Sequence, residues 1–442
     1  MPEPTARKYI VNIVIEDLFG QYSYNLVPKA DSDALSQLFL LYGENGTGKT
    51  TILWLLNHLL SKENGEGHRS FLAHTQFSTF AVHLNDGTIL SATRPKPAVG
   101  NFQMTLIINN KKLKYNYIVN DQGDIGTEVG NDKTHEAFRH ELPDLRLTVL
   151  ADDRKISSVS MMDRKRSFST PEYELSSYIE RRENKKDPSV LQPALDGLQS
   201  WATSRQIEGS NLGQRDVNAI YVDLLKRLSR TDDHQEPLSK LLERLSAQGK
   251  RSSLFSRFGL SSEVDVSAII TTITDSPQLR QQVMAQVIRP YMDSNEVRFA
   301  ALDSLQKTLA TFVDELNVRF LMNKRISFNL AGGVRVESSG QVLDPRVLSS
   351  GEKQLLVLFC NVAQASDRES IFIIDEPELS LNVEWQRFLI DALQKLGSGN
   401  IQFIFATHSL ELLARHRKNV AKLVNRRASV PISLPVQKGS QE

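Results

Sequence analysis

The chain has 442 residues, with 53 Lys and Arg against 52 Asp and Glu, and a single cysteine, Cys360. This length exceeds what one hydrophobic core usually serves, so two units are expected, while near-neutral charge announces neither nucleic acid nor membrane and leaves any basic surface local. One cysteine excludes an intrachain disulfide framework, and no apolar run approaches the ~18–20 residues that span a bilayer, so a cytoplasmic protein without membrane contact is expected.

Residues 8–27 alternate and are rich in β-branched side chains, which predicts strands, and SQLFLLYG predicts a buried strand running into a glycine loop. TTILWLLNHLLSK then carries a helical apolar face. From Phe77 to Val119 strand patterns return, with turn signals at LNDGT (84–88) and INNKK (108–112), which predicts antiparallel hairpins. RLTVLADDR (146–154) predicts a further strand ending in charges.

Between about Lys155 and Val190 the clusters DRKRS and ERRENKKDPS mark an exposed excursion without a core. From about 191 to 322 leucine spacing predicts a helical insertion, expected to be interrupted at GKRSS (249–253) and DSPQ (275–278) and therefore to lack a long coiled-coil arm. After LSSGEKQ (348–354) the order helix (354–364), strand (371–374), helix (383–396), strand (401–405) returns to α/β. Cys360, inside LLVLFC, reads as a buried, inert thiol.

The residues able to carry chemistry fall in four short stretches. GENGTGKT (43–50) has Gly43, Gly48, Lys49 and Thr50 at the fixed places of a phosphate loop, between a predicted strand and a predicted helix. Small residues let backbone N–H groups face phosphate oxygens, the ammonium reaches the terminal phosphates, and the hydroxyl serves Mg2+. Gly43, Glu44, Asn45, Gly46, Thr47, Gly48, Lys49, Thr50 and Thr51 are therefore the candidate ATP-binding residues here.

IFIIDEPE (371–378) ends a buried strand in adjacent carboxylates, so Asp375 is a candidate ligand of Mg2+ beside Thr50, and Glu376 a candidate general base. FIFATHS (403–409) places His408, the second candidate catalytic residue, at another strand end.

In this order of motifs the sequence resembles the ABC-type ATPases, and within them the group that includes SMC-like repair proteins and the overcoming-lysogenization-defect (OLD) ATPases. The resemblance covers roughly 8–60 and 345–412. It implies an α/β ATPase head, a parallel central sheet plus an antiparallel β subdomain, with a helical insertion. It also implies that LSSGEKQ is the signature motif, with Ser349, Ser350, Gly351 and Glu352 meeting the ATP of an opposite protomer, so that two heads sandwich two nucleotides. PELSLN (377–382) resembles the D-loop, where Ser380 and Asn382 would face that protomer. The glutamine loop has no clear counterpart: Asp152, Asp153 and Arg154 are candidates, while Gln76 and Gln103 sit in the hairpin region.

The division expected is 1–154 for the first part of the head, 155–325 for the excursion and insertion, and 326–442 for the rest of the head. Only 34 residues follow His408, too few for the nuclease domain of an OLD nuclease. The architecture thus resembles the AriA-type ATPase subunit of the PARIS anti-phage defence type, which implies a separate effector, a nuclease or toxin, and a phage trigger protein, with partner recognition expected on 155–322. Two other readings stay open: a RecF- or SMC-like repair ATPase that binds duplex DNA, and a regulatory scaffold with little turnover. From Leu412 to Gln441 seven Lys/Arg stand with no Asp/Glu and no aromatic residue, so any nucleic-acid contact there would be to phosphates.

Overall fold

The computed structural model describes residues 7–62, 67–94, 99–119, 125–127, 138, 140–143, 145–150, 156–158, 190–213, 237–263, 265–321 and 323–426. The chain divides into two compact units. One comprises Met1–Pro188, Arg368–Gln394 and Gly399–Glu442, and the other Ser189–Asp367 and Lys395–Ser398.

The first unit contains two sheets. Strands β1 (Ile10–Leu18), β2 (Tyr22–Leu26), β4 (Thr79–Leu84), β5 (Ile89–Thr93), β6 (Phe102–Ile108), β7 (Lys111–Val119) and β8 (Ile125–Thr127) form an antiparallel sheet in the order β2-β1-β4-β5-β6-β7-β8. Its hairpins follow from local chemistry. Asn109 and Asn110 both hold positive φ, 49° and 61°, which the tight turn between β6 and β7 requires and asparagine tolerates.

The other sheet has the order β10-β9-β14-β15-β3-β16, built from β3 (Leu38–Tyr42), β9 (Leu147–Leu150), β10 (Ile156–Ser158), β14 (Ser370–Asp375), β15 (Ile401–Thr407) and β16 (Val420–Lys422). All its pairs are parallel except β10 with β9. Every residue of β14 and β15 is buried, the continuous apolar pattern of central parallel strands. The registers Asp375↔Ala406 and Thr407↔Tyr42 bring the ends of β14, β15 and β3 to one carboxyl edge. Gln402 ties the two sheets together: its fully buried amide accepts from the Ile10 N–H and donates to the carbonyls of Ile10 and Leu35. The predicted strand SQLFLLYG begins only at Leu38, because Asp31 caps a short helix α1 (Ser32–Gln37) that takes its first two residues.

Helices α2 (Lys49–Leu60) and α3 (His68–His74) join the core of this unit. Two buried arginines satisfy carbonyls at their C-terminal ends. Arg69 donates to His58 and Ser61, and Arg94, stacked 4.1 Å over Phe77, donates to Leu72 and Ala73.

In the second unit helices α4 (Leu191–Gly213), α5 (Leu238–Ser256), α6 (Val266–Thr274) and α7 (Gln278–Glu315) precede a small antiparallel sheet of β11 (Arg325–Asn329), β12 (Gly333–Ser338) and β13 (Gln341–Leu343) and then α8 (Ser350–Ala365). One sequence expectation is corrected here. GKRSS does not interrupt the helical pattern, since α5 runs through it; Gly249 is there because a Cβ would stand 2.9 Å from Val266. The three-stranded sheet has no counterpart among the predicted elements, although Gly332-Gly333 and Ser339-Gly340 punctuate an alternating pattern in which Ile326 and Phe328 turn inward. DSPQ does separate two helices, with Pro277 immediately before α7. The 219–230 segment and the charged clusters of 163–189 lie outside the described residues, as do Asp152, Asp153 and Arg154. Cys360 is fully buried, which raises its thiol pKa far above the ordinary range and leaves it unreactive. No helix among the described residues is long and apolar enough to cross a membrane.

Candidate nucleotide site

The loop 43–48 leaves β3 at the carboxyl edge and feeds α2, whose first residue is Lys49. Gly46 and Gly48 hold φ of 80° and 87°. At Gly48 glycine is required twice, since a Cβ would also lie 2.6 Å from Leu18 Cδ2. The Tyr24 hydroxyl donates to the Thr47 carbonyl at 3.0 Å, and Thr47 Oγ1 to the Glu44 carbonyl at 2.7 Å, which braces the loop from both sides. Burial, with Tyr22 adding to it, pushes the Tyr24 phenol up to about 12, so it stays a donor throughout the physiological range.

Lys49 is only 6% exposed, and its Nζ donates to the carbonyls of Gly43 and Glu44, each at 2.9 Å. An ammonium folded back over a loop at a helix N-terminus is matched to phosphate in charge and in donor geometry. Thr50 Oγ1 donates to Asp375 Oδ2 at 2.6 Å, although 325 residues separate them. A hydroxyl and a carboxylate meeting at one point form a hard oxygen donor pair that suits Mg2+.

The chain turns sharply after Asp375. Glu376 has φ of 45°, a conformation costing of order 1–3 kcal/mol for a side-chain-bearing residue, and its N–H donates to the Ala406 carbonyl at 2.9 Å. Its carboxylate Oε1 lies 3.8 Å from His408 Nδ1. Thus Lys49, Thr50, Asp375, Glu376 and His408 share the carboxyl edge formed by β3, β14 and β15, with His408 half exposed. Strand β9 pairs with β14 and its Leu150 is level with Ile374. Ser380 also has positive φ, 62°, whereas Asn382 uses its side chain to accept from the Trp385 N–H at the start of α9 (Val383–Leu396).

Ser349, Ser350, Gly351 and Glu352 open α8 in the second unit. Ser349 and Glu352 form a capping box, Oγ accepting from the Glu352 N–H at 3.3 Å and Oε2 from the Ser349 N–H at 2.8 Å. Burial would raise the Glu352 pKa, but the Lys324 ammonium 2.6 Å away and the Ser349 donors outweigh it and lower it. The two serines remain exposed at a helix N-terminus, where an anion is favoured.

Three residues escaped the sequence reading. Phe19, at the β1–β2 turn, holds φ of 54°, is 39% exposed and reaches to 3.4 Å of where a Cβ on Gly48 would stand. Tyr24 carried no motif at all. Glu378 lay inside a quoted stretch without a role, yet it accepts from Thr407, His408 and Ser409. Gln76 instead accepts the Phe19 N–H through its carbonyl, and Gln103 donates to Asn116.

Fold and loop together define a phosphate-loop domain of the α/β class. The chain belongs to the family described as "AAA domain, putative AbiEii toxin, Type IV TA system", which matches residues 38–414. Among curated proteins it is similar to a "Putative ABC transporter ATP-binding protein" of Methanosarcina acetivorans, 38% identical over 74 residues, 17% of this chain and 26% of that protein. A protein of Pyrococcus abyssi with the same description is 36% identical over 69 residues, 16% of this chain and 25% of the other. The matches thus span about a quarter of those relatives' length. Among solved structures, the Smc head domain with an extended coiled coil bound to the C-terminal domain of ScpA, from Pyrococcus furiosus, aligns with 94% of this chain and 96% of its own at 12% identity and a TM-score of 0.40. The SmcHead bound to the C-winged helix domain of ScpA aligns with 95% and 99%, at 12% identity and 0.35.

Proposed function

We propose that the protein binds and hydrolyses ATP with Mg2+ in head-to-head pairs, and that this cycle switches a separate effector, a nuclease or toxin, in cytoplasmic anti-phage defence. The observation that carries the reading is the Thr50–Asp375 contact beside the Lys49 loop, with Glu376 and His408 at the same edge. The defence role draws support from the family description, which names a putative AbiEii toxin and a Type IV TA system, and the separate effector from the resemblance in architecture.

The division of labour follows from the groups. Backbone N–H groups of 43–50 and the Lys49 ammonium hold the phosphates; the exposed ring of Phe19 offers a face for the base. Thr50 and Asp375 would hold Mg2+, which when bound neutralises phosphate charge. Glu376 accepts the proton of the attacking water, and His408 orients that water or the terminal phosphate. Ser349, Ser350 and Gly351 of a second copy close the site with the α8 N-terminus.

The test is steady-state ATP hydrolysis with Mg2+. Glu376→Gln should bind ATP as the wild type does while kcat falls about 100-fold or more, the loss expected for a positioned general base. Lys49→Ala should lose nucleotide binding itself. Hydrolysis by Glu376→Gln at the wild-type rate would remove Glu376 from the role of base.

A further inference from the structure

We infer that Glu378 is a positioning residue for this hydrolysis: its buried carboxylate fixes the turn after β15 that presents His408, and Gln386 joins the same turn to the 377–382 loop. The inference rests on the reading of the site given above and deepens it.

Glu378 is 6% exposed, and one of its oxygens, Oε1, accepts three hydrogen bonds from consecutive residues. They come from Thr407 Oγ1 at 2.5 Å, the His408 N–H at 3.0 Å and the Ser409 N–H at 3.2 Å. The same oxygen lies 3.4 Å from His408 Nδ1. A buried carboxylate is costly to desolvate, and here the compensating donors belong to the three residues that set where the imidazole stands. Were the role only to fill space, an apolar side chain of similar volume would serve at no greater cost.

A second link runs alongside. Ser409 Oγ donates to Gln386 Oε1 at 2.7 Å, and Gln386 Nε2 donates to the Leu381 carbonyl at 2.9 Å. Ser409 also donates its N–H to Thr407 Oγ1 at 2.9 Å. The 377–382 loop, the first turn of α9 and the turn carrying His408 therefore form one hydrogen-bonded body. Two of the side chains that hold it, Glu378 and Gln386, point to no chemistry when the sequence is read alone.

The experiment measures kcat and KM for Mg2+-dependent ATP hydrolysis, with the thermal midpoint, in the full chain. Its variants are Glu378→Ala, Glu378→Gln, His408→Ala and the double variant Glu378→Ala/His408→Ala. Glu378→Ala should lower kcat about 10- to 100-fold, the scale of an ångström misplacement, with little change in KM. Glu378→Gln, whose amide oxygen still accepts the two backbone N–H groups, should recover part of the rate. In the double variant the alanine at 378 should add nothing to the loss from His408→Ala, because it acts through that residue. Should Glu378→Ala fail to fold, Glu378→Gln and Gln386→Ala decide, each expected below the wild-type kcat at unchanged KM. Wild-type kcat in the folded 378 variants, or independent losses in the double variant, overturns the inference alone. A wild-type chain without Mg2+-dependent hydrolysis overturns the reading of the site and this inference with it.

Discussion

Gly46 and Gly48 share a left-handed backbone but not an environment. Nothing stands within 4 Å of where a Cβ would be at Gly46, whereas at Gly48 it would meet Leu18, itself fully buried and unable to move away cheaply. Gly46→Ala should therefore cost only the backbone term, about 1–2 kcal/mol, while Gly48→Ala should cost more than that. Urea denaturation without nucleotide measures both; equal losses would show that Leu18 yields. Individual residues also show where sequence legibility ends. Gly48, Lys49 and Asp375 could be named from contiguous motifs because their chemistry is local. Glu378 could not, since its donors arrive 29 to 31 residues later, at the end of the strand that returns beside β14 and in the turn after it.

At the scale of elements, α2 and α3 meet through a histidine pair that responds to acid. His58 Nδ1 and His68 Nδ1 stand 2.8 Å apart, a contact in which one nitrogen donates and the other accepts, and His58 stacks on Phe71. Burial, then His68 and Arg69, hold His58 well below the ordinary histidine value; burial, then Arg69, push His68 down to about 4. Because the folded pKa values are depressed, the unfolded chain binds more protons once pH falls below about 6.5, so stability is lost as pH drops from there toward about 4. Each proton contributes a slope of at most ~1.4 kcal/mol per pH unit. Thermal midpoints from pH 7 to pH 4.5 should fall accordingly, and His68→Gln should flatten the decline; an unchanged slope in that variant would place the acid sensitivity elsewhere. The strands and helices of the head were mostly legible, because β14 and β15 are continuous apolar runs and α2 follows a phosphate loop. GKRSS misled because polarity and glycine signal a break, while the close approach of Val266 to Gly249 is a tertiary demand.

For the whole molecule, the signature residues open a helix of the unit Ser189–Asp367, and the phosphate loop belongs to the unit built around the two sheets. In a head-to-head pair each ATP takes its loop from one copy and residues 349–352 from the other. A mixture of Lys49→Ala with Gly351→Ala protein tests that arrangement most directly, by ATP hydrolysis after shown exchange of subunits. Each variant should be inactive alone, and the mixture should regain part of the wild-type rate, because one interface of the mixed pair keeps both intact halves. Exchange without any recovered hydrolysis, at every ratio, would contradict the composite site.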